Sequence, residues 1–199
     1  MNIYLDTTAN RQWLWQANAI DPRQPHLVRY CAVAVDDDGV ATAEARLCGL
    51  PHGEGLDAAA LERLNVPPDE PFMIRDTMPG VEVVDAWLKM LIQADVVAAH
   101  SAAFHRKLLE ATCNRVGMAL PILPWFCTMT ESTEIVKLAP PSGRGKSKWP
   151  KLEEAVAFFD KAAESPPSQV KPLAEGLANC ERVRIVYEGI MRHRSPAGV

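Results

Sequence analysis

The stretch Leu27–Val35 (LVRYCAVAV), the acidic turn Asp36–Gly39 and the run VATAEARLCGL that follows it form one unit. Two apolar runs around an acidic turn that ends in Gly read as a β-hairpin. Ahead of them, Asn2–Thr7 (NIYLDT) is a short apolar run ending in an acid, a core strand that delivers Asp6 to its tip. Three strands therefore open the chain. The period then changes. Asp57–Leu64 and Val81–Ile92 carry helical patterns, DVVAAH is a compact buried-strand run ending at His100, and Ala102–Val116 is helical with Phe104, Leu108, Thr112 and Val116 four apart.

The last third is more helical. WFCTM is a short apolar run, Glu131–Leu138 and Lys151–Lys161 read as helices, and Leu177, Cys180, Val183, Tyr187 and Ile190 make an apolar stripe at helical steps. Pro140–Lys148 reads as an exposed loop, and residues 192–199 as a flexible tail. This order predicts an α/β fold with a mixed sheet: three leading antiparallel strands plus later strands, flanked by helices. With 199 residues, 48% of them apolar, the chain suits one domain spanning 1–199.

Composition narrows the setting. No apolar run is long enough to span a bilayer, and MNIYLDTTAN lacks the regions of a signal peptide. The five cysteines are scattered without a C-x-x-C pair, which fits reduced thiols in a cytoplasmic protein better than a zinc or redox motif. A net charge of −4 excludes bulk electrostatic attraction to nucleic acid, so any such contact must come from a local patch.

Asp6 at the first strand's tip, HSAAFH at the later strand's end and the last helix together resemble the motifs of the DnaQ-like, DEDD-type 3′–5′ exonucleases. WFCTMTESTEIVKL followed by KWPKLEEAVAFF, and GLDAAALERLNVPPDE, extend the likeness from about Ile3 to Ile190. The resemblance implies a ribonuclease-H-like fold and a role in DNA or RNA metabolism, such as replication or repair. It implies four carboxylates and a general-base His around two Mg²⁺ ions about four Å apart. Asp6 matches the first acid. Thr8 stands where the family has Glu, His105 where it has Asp, Ala174 on the base His and Asn179 on the last Asp. A lone carboxylate would leave about three of the four positive charges of two dications uncompensated, and Mg²⁺ wants hard oxygen ligands.

Each candidate has a plain alternative. Asp6 is a metal ligand or a turn residue. His105 is a ligand suited to Zn²⁺ or Mn²⁺, or a hydrogen-bonded helix-start histidine. Trp13 and Trp15 stack a terminal base or pack under a Pro-rich loop. Arg144, Lys146 and Lys148 hold phosphates or are a solvated loop. Glu175 reaches the site only if the last helix starts early enough. His100 packs at the strand end, while Thr128 and Trp149–Pro150 read as fold-keeping residues, with Trp149 buried to seat a helix.

The leading reading is a pseudo-exonuclease without a cofactor, binding a single-stranded nucleic-acid 3′ end or a protein assembly. A divergent exonuclease using Mg, Mn or Zn, and an interaction module without nucleic-acid contact, are the alternatives.

Overall fold

The computed structural model describes residues 1–64, 78–140, 143, 145–160 and 172–195. Its centre is a five-stranded sheet in the order β3-β2-β1-β4-β5. The strands are β1 (Asn2–Ala9), β2 (Leu27–Val35), β3 (Ala41–Leu47), β4 (Val96–Ala99) and β5 (Trp125–Cys127). β1 runs antiparallel to β2 and parallel to β4, and β2 and β3 form the hairpin expected around Asp36–Gly39. The helices are α1 (Ala58–Arg63), α2 (Val81–Leu91), α3 (Ala102–Arg115), α4 (Thr128–Val136), α5 (Leu152–Phe159) and α6 (Pro172–Arg194).

The sheet is mixed and covered on both faces, so β1 and β2 are buried along nearly their whole length. Alternation along β1 splits its side chains between two cores. Ile3, Leu5 and Ala9 join Trp87 of α2 and Leu108 and Leu109 of α3 on one face. Tyr4 joins Cys31, Val33, Cys180 and Val183 on the other, against α6. Trp87 stacks on Tyr30 at 4.3 Å, and its indole N–H donates to Glu44 at 2.7 Å. A third cluster, Ala155, Val156, Val186 and Ile190, joins α5 to α6.

Several boundaries move. β1 continues to Ala9, which places Thr8 inside the strand rather than beyond it. α4 starts at Thr128, three residues earlier than the periodicity suggests, because β5 ends at Cys127 and the chain turns directly into the helix. α6 starts at Pro172 and runs through Arg194, so residues 192–194, expected in the tail, are helical; 196–199 lie outside the described residues. Trp149 corrects the sequence reading: its side chain is 64% exposed, and Pro150 makes the buried contact instead. Among the described residues, no helix is long and apolar enough to cross a membrane.

Candidate functional site

β1 and β4 are parallel, so their carboxyl ends open at the same edge of the sheet, where crevices form in α/β folds. A cleft of about 490 Å³ lies there. Asp6, Thr8, His105, Asn179, Trp13 and Trp15 all line it, so six sequence candidates far apart in the chain meet at one place. Arg29, Arg63, Glu153 and Glu175 line it as well.

Asp6 and Thr8 project from the same face of β1, and Thr8 stands opposite Arg29 in the β1–β2 register. Arg29 therefore emerges beside Asp6, and its Nη2 donates to Asp6 Oδ2 at 2.8 Å. Its Nη1 donates to the Arg63 carbonyl at 3.3 Å. Arg29 is 2% exposed and Asp6 16%. α6 makes room for the pair at Gly176: a Cβ there would lie 2.4 Å from Cys31 Sγ and 2.9 Å from Arg29 Nε. Arg29 was not among the sequence candidates, although a single charge inside the apolar run LVRYCAVAV was a visible signal.

His105 sits under the opposite face of β1. Its Nε2–H donates to the His100 carbonyl at 2.9 Å. Nδ1 then accepts from the Thr7 hydroxyl at 2.8 Å and the Thr7 backbone N–H at 3.2 Å. His100 has the same tautomer, with Nε2–H donating to the Pro150 carbonyl at 3.0 Å and Nδ1 facing the Thr128 hydroxyl at 3.1 Å. Both imidazoles thus fasten the β4–α3 junction, where Ser101 adopts a left-handed backbone with φ of 69°.

Burial holds the pKa of both histidines below the ordinary 6.5. Each must therefore gain a proton on unfolding at mildly acid pH. Between the folded and unfolded values the unfolded chain binds more protons, so stability rises with pH there. The stability these groups contribute is complete above about pH 6.5 and falls as the pH drops below it. Urea midpoints measured from pH 8 to pH 5 are expected to decline below that point, and His100→Gln should make the decline shallower.

The loop after β1 carries the two tryptophans, and the structure separates them. Trp13 is 3% exposed and belongs to the core, whereas Trp15 is 53% exposed with Lys107 Nζ 5.7 Å from its ring centre. Fully buried Gln24 holds the loop: its Nε2 is shared among the carbonyls of Leu14, Ala17 and Asn18, and its Oε1 accepts from the Leu14 N–H. Arg115 of α3 clamps the Gln24 and Pro25 carbonyls at 2.6 and 2.9 Å. Neither residue drew notice as sequence, because a Gln in a Pro-rich loop has no periodic pattern to read.

Solved structures with the same architecture include nucleases, among them 3′-exonucleases. The nuclease domain of 3′hExo, a DEDDh family member bound to rAMP, matches over 96% of this chain and 92% of its own, with 11% identity and a TM-score of 0.63. A 3′-exonuclease solved recognising a histone mRNA stem-loop matches over 96% and 81%, with 12% identity and a TM-score of 0.62. Cell-death related nuclease 4 (CRN-4) matches over 97% and 64%, with 9% identity and a TM-score of 0.64. The chain has the DnaQ-like exonuclease fold. No protein-family model matches its sequence, and no curated protein does.

Of the four positions that the sequence resemblance sets on the family's acids, one holds a carboxylate. Asp6 is ion-paired to Arg29, Thr8 is a 2% exposed hydroxyl, and His105 has both nitrogens engaged inside the protein. Asn179 accepts from Arg182 Nη1 at 2.7 Å through Oδ1. Ala174, which the resemblance sets on the base His, is exposed and does not line the cleft. Because α6 begins at Pro172, Glu175 lies in its first turn and does line the cleft. Asp6, Glu153 and Glu175 nevertheless do not cluster: among the described residues no group of three or more His, Cys, Asp or Glu could hold a metal ion. At the positions the resemblance marks, the donors are one ion-paired carboxylate and neutral groups, whereas hard dications favour several carboxylates.

The basic loop is placed only in part. Arg144 lies outside the described residues. Lys146 is exposed, while Lys148 is drawn to Glu154 at 2.7 Å, and neither lines the cleft.

Proposed function

We propose that this protein is a pseudo-exonuclease, which binds a single-stranded nucleic-acid 3′ end in the cleft without cutting it. One observation carries the reading: a single cleft combines an acid already neutralised from within the protein with an exposed tryptophan on a held loop. The first removes the means of hydrolysis, and the second retains a means of binding. An indole offers a π-face to any base, and stacking a base on it is worth about 1–3 kcal/mol. Arg63 in the cleft and Lys107 beside Trp15 supply positive charge for a phosphate backbone. The solved 3′-exonucleases of the same fold, one bound to rAMP and one recognising an RNA stem-loop, support nucleic acid as the ligand class.

The divergent nuclease has less support, since His105 offers no free nitrogen to a softer metal. A cytoplasmic setting and a place in replication or repair belong to the same proposal.

Fluorescence anisotropy with short labelled single-stranded DNA and RNA tests it. Binding should weaken with salt and be equal in EDTA and Mg²⁺. Trp15→Ala should raise Kd about tenfold, the equivalent of one lost stacking contact. Degradation of the same oligonucleotides in Mg²⁺ or Mn²⁺, abolished by Asp6→Ala, would overturn it. Absence of binding at low salt would leave the protein-assembly reading in its place.

A further inference from the structure

We infer that Arg29 is a tethered cation: it takes over from a divalent ion the task of neutralising Asp6, and its charge keeps such ions out of the cleft. The scarcity of acids is thus half of the picture, and a buried base on the neighbouring strand is the other half.

Three features carry this. The first is placement. Arg29 faces Thr8 across the β1–β2 ladder, so its side chain leaves the sheet on the face that carries Asp6, and the two meet at 2.8 Å. The second is burial. Arg29 is 2% exposed in a strand whose other residues are buried apolar groups up to Ala34, a place where a charge persists only if paired. A guanidinium does not lose its proton in a protein, so this charge is constant where an ion's occupancy would follow its concentration. The third is accommodation from a second element. α6 has Gly176 where any side chain would strike the Arg29 stem and Cys31, so strand and helix are both shaped around the guanidinium.

The electrostatic consequence is direct. With Arg29 in place, Asp6 and its partner sum to zero, and a dication entering beside them meets a like charge at contact range. Glu153 and Glu175 line the cleft but, among the described residues, do not cluster with Asp6 into a metal-holding group. Restoring acids without removing Arg29 is therefore insufficient to restore a metal site. This deepens the metal-free part of the proposed function and does not depend on nucleic-acid binding.

The test uses Mn²⁺ alone, titrated calorimetrically into the wild type, Thr8→Glu/Asn179→Asp, and Arg29→Met/Thr8→Glu/Asn179→Asp. The double variant should bind Mn²⁺ within about threefold of the wild type. The triple variant should bind at least about tenfold tighter, a modest share of what one unit charge at contact range is worth. Equal Mn²⁺ affinity in the double and triple variants overturns the inference. Because Thr8 is buried, the wild type supplies a measurement that needs no variant to fold. Its thermal midpoint should be the same in EDTA and in millimolar Mn²⁺, and a rise of several degrees with Mn²⁺ overturns the inference. Failure of oligonucleotide binding would strike the proposed function and leave these titrations unchanged.

Discussion

Asp6→Asn is expected to lower the free energy of unfolding by about 3 kcal/mol, the lower end of what removing one partner of a buried ion pair costs. The substitution keeps size and an accepting oxygen, so the loss isolates charge. Arg29 cannot relieve the loss by deprotonating, and at 2% exposure it cannot turn to water without opening the α6 contact at Gly176. Asp6 is 16% exposed, which favours the lower end of the range. Arg29→Met should cost less, because Asp6 is the partner nearer to water. The double substitution Asp6→Asn/Arg29→Met should be more stable than Asp6→Asn alone, since the buried guanidinium that Asp6 neutralised is then gone as well. Denaturant unfolding of the four proteins gives the coupling directly. Losses that simply add would show that the two residues do not depend on each other.

The second large effect concerns His105, which the sequence resemblance sets on the exonucleases' second-motif acid. His105→Asp is expected to cost about 3 kcal/mol or more and to confer no nuclease activity. The imidazole is 5% exposed and spans from Thr7 to the His100 carbonyl. A carboxylate is shorter and has no proton to give, so the His100 oxygen loses its donor and faces a like-charged atom in a dry site. The ring's volume is lost as well, beside Phe104, whose ring centre lies 5.2 Å away. His105→Asn, which is neutral and retains a donor, should cost clearly less. Equal losses for the two variants would mean that charge is not the reason. In this chain His105 belongs to the scaffold.

Much of this was legible as sequence, and the boundary is physical. Periodicity locates β1, the hairpin and α3, because burial on one or both faces imprints directly on residue type. The motif spacing brings Asp6, Thr8, His105 and Asn179 to one cleft, and the structure places them there. What stayed hidden is what depends on a partner remote in the chain. Arg29 acquires meaning only through the β1–β2 register, and His105 through Thr7, 98 residues away. Trp149 misled because an aromatic beside Pro reads as an anchor, yet only Pro150 packs while the indole faces solvent. Glu175 depended on a helix start that Gly176 obscured: a glycine that looks like a weak helix signal is instead required by the close approach of Arg29.

The amide of Gln24 has a consequence for binding that no contact in the cleft reveals. A loop between Ala9 and Leu27 would ordinarily sample many shapes, and any ligand resting on Trp15 would have to freeze them. Here hydrogen bonds from Gln24 and Arg115 tie the loop down within the fold itself. The ordering entropy is charged to the fold rather than to the complex, so even a small aromatic surface can yield useful affinity. The affinity of a ligand bound as proposed would then be set partly by two side chains that lie outside the cleft, and drift at either would loosen that grip while leaving the cleft's own residues intact.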